Sequence, residues 1–152
     1  MTNTQTNFER DLQTGFIGEN ILSNYLIRKQ IANSVKYVNN SDCDILIESG
    51  KYSGVMFEVK YDQYPDTGNM IIEIFCLRRF KPTGLSVTKS KYFCYIFKHN
   101  KIGYIIKVES LKEIIKNLNT KFVTNGGDNH NSVIIKLPYK QFINKFHKFK
   151  YE

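Results

Sequence analysis

The run Val55-Met56-Phe57-Glu58-Val59-Lys60 sets a carboxylate and an ammonium two residues apart among apolar side chains. Side chains alternate along a strand, so Val55, Phe57 and Val59 share one face and Met56, Glu58 and Lys60 the other. A charge on such a face is costly to bury unless it has a partner. The run before it has the same character. Asp42 and Asp44 fall on one side, directly ahead of Ile45-Leu46-Ile47. A turn across Gly50 to Gly54 would return the chain antiparallel and bring Asp44 and Glu58 to neighbouring positions. Two carboxylates so placed repel unless a divalent cation lies between them, and hard oxygen ligands suit magnesium, with manganese as a substitute. Lys60 then stands where it can orient or help deprotonate an attacking water and offset charge on a phosphorane-like transition state. That is the chemistry of phosphodiester hydrolysis.

A fourth candidate lies in the helix predicted over Phe8 to Ile31, with Asn7 as its cap. Leu12, Phe16, Leu22 and Leu26 recur at helical spacing, widened by Ile17, Ile21 and Tyr25. Glu19 falls on that apolar stripe. Its neighbour Gly18 costs about 1 kcal/mol of helix stability against alanine but permits close backbone approach. A carboxylate on the buried stripe beside a glycine is what a helix needs to lean over a metal site.

Beyond the helix the pattern shortens. Strands are expected at Val35 to Val38, Cys43 to Glu48, Val55 to Tyr61 and Met70 to Leu77, with turns at Asn39-Asn40-Ser41 and Ser49-Gly50. Phe80 to Ser90 reads as a loop with one helical turn. Tyr92 to Phe97 and Ile102 to Val108 resemble a hairpin, Ser110 caps a helix running to Leu118, and Val123 to Asn131 is loop-like. After a strand at Val133 to Leu137, Pro138 opens a closing helix striped by Phe142, Phe146 and Phe149. This order predicts an α/β (α+β) fold with a central mixed sheet flanked by helices.

The bulk properties set the limits. A chain of 152 residues that is 41% hydrophobic and 14% aromatic suits one domain, here 1–152, with its own core. No apolar run approaches the roughly 20 residues of a membrane-spanning helix, and Met1 to Asn7 lacks a signal-peptide pattern, so a cytoplasmic protein without a membrane partner is expected. Cys43, Cys76 and Cys94 form no C-x-x-C pair, which argues against a disulfide framework or zinc site. Twenty-two Lys and Arg against fourteen Asp and Glu give a net charge of +8, which favours polyanionic partners without choosing among them. Lysine outnumbers arginine heavily and Asn and Ile are frequent, a usage that fits AT-rich coding and weakens any argument from lysine counts alone.

Gly18-Glu19 in an N-terminal helix, Asp44 ahead of a hydrophobic strand, and Glu58-Val59-Lys60 together resemble the PD-(D/E)XK phosphodiesterase superfamily. Restriction endonucleases, archaeal-type Holliday junction resolvases and phage recombination nucleases belong to it. The resemblance covers about the first half of the chain, through Met70 to Leu77. It implies a restriction-endonuclease-like core in which Asp44 and Glu58 hold the metal, Lys60 assists the attacking water and Glu19 supports the metal shell. It further implies a DNA endonuclease with no organic cofactor, acting as a homodimer; the chain's size and AT-rich usage point to a phage or other mobile element as source (and so the host cytoplasm as its place). Junction or branched DNA is preferred over sequence-specific restriction, because no extra recognition module is evident. Two departures stand out. Cys43 occupies the position usually held by proline, and only Lys81 to Lys91 is available for the helix that normally follows the third strand.

Several residues carry two readings. Asp42 rivals Asp44. Glu73, inside an apolar strand, either joins the metal shell or pairs with Arg78 or Lys81. Gln63, Ser86, Thr88, Lys89 and Lys91 are candidate backbone-phosphate contacts, or else a strand end and a solvated loop. His99, His130 and His147 read as surface groups. Glu58 with Lys60 could equally be a solvated edge-strand pair. The alternative function is a catalytically inactive nuclease-fold module that binds DNA or protein; an RNA-directed nuclease is a third.

Overall fold

The computed structural model describes residues 3–38, 40–127 and 130–152, and of 3–8 only the backbone. Asn39, Asp128 and Asn129, which the sequence reading places in turns, lie outside the described residues. Helix α1 (Asn3–Arg28) is followed by β1 (Ser34–Tyr37), β2 (Ile45–Ser49), β3 (Met56–Asp62), β4 (Met70–Cys76) and β5 (Lys81–Pro82). Then come β6 (Tyr92–Phe97), β7 (Ile102–Lys107), α2 (Val108–Lys116), β8 (Val123–Gly126), β9 (Ser132–Leu137) and β10 (His147–Lys150). The fold is α+β. Its central mixed sheet has six strands in the order β1-β2-β3-β6-β7-β10, and a second sheet is ordered β5-β4-β9-β8.

Strand β6 explains the layering. Its sequence Tyr92-Phe93-Cys94-Tyr95-Ile96-Phe97 is apolar without alternation, as expected of a strand covered on both faces. Phe93, Tyr95 and Phe97 enter a core shared with the second sheet and α2, through Met70, Ile72, Leu111, Ile135 and Leu137. Cys94 and Ile96 enter the opposite core, with Leu22 and Leu26 of α1 and Ile45, Ile47 and Phe57 of β2 and β3. Strand β3 lies parallel to β6, pairing Glu58 with Phe93 and Lys60 with Tyr95. The Glu58–Lys60 face of β3 therefore looks toward the second sheet, and the Phe57–Val59–Tyr61 face toward α1.

Helix α1 starts before the predicted cap, so Asn7 lies inside it, and it ends at Arg28 rather than Ile31. Gln30, at φ 56°, turns the chain out of the helix. Only the second half of its apolar stripe is covered. Leu22, Tyr25 and Leu26 are buried, whereas Leu12, Phe16 and Ile17 are 59%, 51% and 47% exposed, because that half of the helix runs past the body of the sheet.

Three further expectations are corrected. Helix α2 begins at Val108, so Ser110 sits inside its first turn and does not cap it. Val123 to Gly126 is a strand paired with β9, not a loop. The closing helix is replaced by a 3-10 segment, Tyr139–Lys145, and then by β10 on the edge of the central sheet. Its three phenylalanines divide accordingly. Phe142 and Phe146 pack on the second-sheet core while Phe149 is buried in the α1 core. Phe149 pairs across from Gly103, and a Cβ on Gly103 would lie 2.1 Å from the Phe149 ring. The glycine is the seat that draws this segment into the sheet.

Candidate active site

Strand β2 pairs with β3 at Ile45–Phe57 and Leu46–Met56, leaving the edge of β3 open from Val59 onward. Asp44 sits at this opening. Its amide donates to the Phe57 carbonyl at 2.9 Å, and its Oδ2 accepts from the Val59 amide at 2.7 Å. The side chain thus takes over the ladder where the β2 backbone ends, which satisfies an amide that would otherwise be orphaned. Glu58 follows on the adjacent position of β3. Its Oε2 accepts from the Thr88 hydroxyl at 2.8 Å, and Thr88 is in turn held by the Asp42 carbonyl at 3.0 Å and the Ser90 amide at 3.2 Å. Lys60, two residues on, is exposed.

Glu19 arrives from the other face. A Cβ on Gly18 would stand 2.8 Å from Tyr61 Cβ, so α1 lies directly on β3 there, and Glu19 beside it is only 9% exposed. The three carboxylates form one electrostatic unit around Asp44. Burial, followed by the charge of Asp44, pushes Glu19 up to about 7. Burial and Asp44 push Glu58 up to about 7 as well, against the lowering effect of the Thr88 hydrogen bond. Asp44 itself is raised by burial and held back by the Val59 amide. The same negative field, added to burial, keeps the Cys43 thiol neutral.

Among the described residues no three His, Cys, Asp or Glu side chains close into a metal cage. Asp44 Oδ1 and Glu58 Oε1 have no hydrogen-bond partner there, while the sister oxygen of each is anchored. Carboxylate oxygens are hard donors, and Asp44 and Glu58, with Glu19 nearby, are the residues that could help hold a hydrated divalent cation.

Of the remaining candidates, Thr88, Lys89 and Lys91 line one cleft and the others are dispersed. Asp42 is paired with Lys89 at 3.0 Å, and its carbonyl receives Thr88, Lys89 and Ser90, so it fastens the 88–90 segment and is turned away from the carboxylate unit. Glu73 lies in the second sheet, where Thr83 and Ser132 donate to it at 2.5 and 3.0 Å. Neither Arg78 nor Lys81 is its partner. Gln63 is exposed and reaches Thr14 on α1 at 3.0 Å. Ser86, Lys89 and Lys91 are exposed. Thr88 is buried, and its hydroxyl bonds both Glu58 and the Asp42 carbonyl, so it orients a carboxylate. Nothing local points to that role, since Glu58 and Thr88 are 30 apart in the chain. His99 bonds the Gln63 carbonyl and His147 the Tyr25 hydroxyl, both on the surface. No helix among the described residues is long and apolar enough to cross a membrane. Set against known proteins, the chain matches no family model, no curated protein and no solved structure.

Proposed function

We propose that this chain is a magnesium-dependent nuclease that hydrolyses phosphodiester bonds in DNA. The observation that carries the reading is the convergence of Glu19 and Glu58, from opposite faces of β3, on the charge of Asp44, with Lys60 exposed two residues beyond Glu58. Asp44 and Glu58 are the residues that would hold the metal, with Glu19 supporting. When bound, the ion supplies Lewis acidity to the scissile phosphate. The chain's own groups do the positioning. The Val59 amide and the Thr88 hydroxyl lock one oxygen of each carboxylate and leave the other without a hydrogen bond among the described residues. Lys60 offers a mobile ammonium that orients the attacking water and offsets negative charge gathering on the phosphoryl oxygens.

The substrate preference for junction or branched DNA remains part of the proposal. So does the homodimer, for which exposed Leu12, Phe16 and Ile17 offer an apolar face to bury; light scattering that finds a monomer at assay concentrations would remove it. The test of the activity is a panel of labelled DNAs, namely linear duplex, single strand, flap and four-way junction, incubated with magnesium, manganese or EDTA. Cutting with either metal and none in EDTA is expected. A second reading is an inactive nuclease-fold module that binds DNA or protein. Tight DNA binding by the folded protein with no cutting of any substrate would select it.

A further inference from the structure

A cleft of about 480 Å³ adjoins the carboxylates, between the Thr88–Lys91 segment and the start of α2. Its walls carry Lys89, Lys91, Lys107 and Lys112, with Glu109 as the opposing charge. The topology forces these lysines together. Lys91 immediately precedes β6, Lys107 ends β7, and Tyr92 and Lys107 are cross-strand partners. The Val108 amide then donates to the Lys91 carbonyl at 2.9 Å, so α2 starts where β6 starts. Lys112 stands about one turn into that helix.

Lys89 is engaged by Asp42, but Lys91, Lys107 and Lys112 form no ion pair among the described residues. Ammonium groups gathered around one concavity repel, and a polyanion laid between them removes that cost. Helix α2 begins without a side-chain cap, so its N-terminus adds a positive end to the cleft, partly offset by Glu109 in its first turn. Lysines on flexible stems are point charges suited to backbone phosphates and unsuited to reading base edges. Their spread over a loop, a strand end and a helix suits a polymer of phosphates better than a single small anion. The cleft is also tied to the carboxylates, because Thr88 lines it while bonding Glu58.

We propose that this lysine-walled cleft binds the phosphodiester backbone of a nucleic acid strand, seating it independently of sequence so that a neighbouring phosphate comes to Asp44 and Glu58. The second half of that statement rests on the nuclease reading; the binding itself does not. Lys107 and Lys112 are the residues that distinguish the cleft from the rest of the basic surface, and both are exposed, so removing them leaves the core untouched.

The test is fluorescence anisotropy of labelled DNA and RNA duplexes in EDTA, over a range of salt, where no cleavage is expected. Lys107→Ala/Lys112→Ala is compared with the parent and with Lys148→Ala/Lys150→Ala, which removes the same charge from β10. The cleft variant is expected to bind about tenfold more weakly and to flatten the salt slope by about 2, roughly one per lost phosphate contact. The β10 variant should stay near the parent, and the DNA and RNA arms decide which backbone is seated. An unchanged cleft variant, an equal loss in both variants, or a parent that binds neither nucleic acid would each overturn the proposal. Binding through Lys107 and Lys112 without cleavage in any metal sinks the nuclease reading and leaves the cleft standing. Cleavage that is indifferent to both lysines does the reverse.

Discussion

The carboxyl groups of Glu19 and Glu58, raised from 4.5 to about 7, keep protons in the fold that the unfolded chain has already lost. The sign follows from linkage: where the native state binds more protons, stability falls as pH rises. The metal-free protein is therefore expected to lose stability between about pH 4.5 and 7. After discounting for solvent around both groups, a Tm lower by roughly 5 °C at pH 8 than at pH 5 is the expected scale. Glu58→Gln should flatten this dependence in EDTA, and an equally steep Glu58→Gln profile would show that the site does not set it. Thr88 gives a second residue-scale test. Its hydrogen bond lowers Glu58, so Thr88→Val should move the pH–rate profile of metal-supported cutting upward, with Thr88→Ser restoring it. A profile that stays in place would assign Thr88 to the fold alone.

Among the elements, the strands that carry the candidate site were legible and the end of the chain was not. Alternation in Val55 to Lys60 and the Gly50–Gly54 turn are local signals, and they place Glu58 and Lys60 on β3 and Asp44 immediately ahead of β2, which starts at Ile45 and not at Cys43. Gly18 is where the predicted close approach occurs. The stripe of α1 misled in its first half, because periodicity reveals an apolar face and not whether a sheet extends beneath it. Phe142, Phe146 and Phe149 fit a helical period equally well. What decides their conformation is Gly103, far away in sequence, whose missing Cβ lets Phe149 dock as a strand residue against Tyr25 at a ring spacing of 4.2 Å. Gly103→Ala is accordingly expected to cost about 2 kcal/mol of overpacking, roughly 6 °C in Tm, despite the strand-favouring change. Thermal unfolding that matches the parent would mean that Phe149 has another place to go. The crossover from β3 to its parallel neighbour β6 was also beyond reach. It runs through β4, β5 and a 3-10 turn in place of a full helix, and only long-range pairing with β9 makes that route stable.

At the scale of the whole molecule, the +8 charge is not spread without order. Part of it lines the cleft beside Thr88, next to the most negative spot of the central sheet. A polyanion would be drawn to the lysines without metal, and a divalent cation on the carboxylates would lessen their repulsion of the phosphate brought to them. Nothing in composition shows this juxtaposition, because it arises from β6 starting and β7 ending level with Phe57 of β3, one residue before Glu58. The measurement that bears most directly on the central claim is nicking of DNA in magnesium by the parent, Glu58→Gln and Lys60→Ala at matched DNA occupancy. Metal-dependent nicking that falls at least a hundredfold in both variants, with binding retained, is the expected result, in line with loss of a charge-stabilising group. Equal nicking by all three proteins, or none by the parent on any substrate, would contradict it.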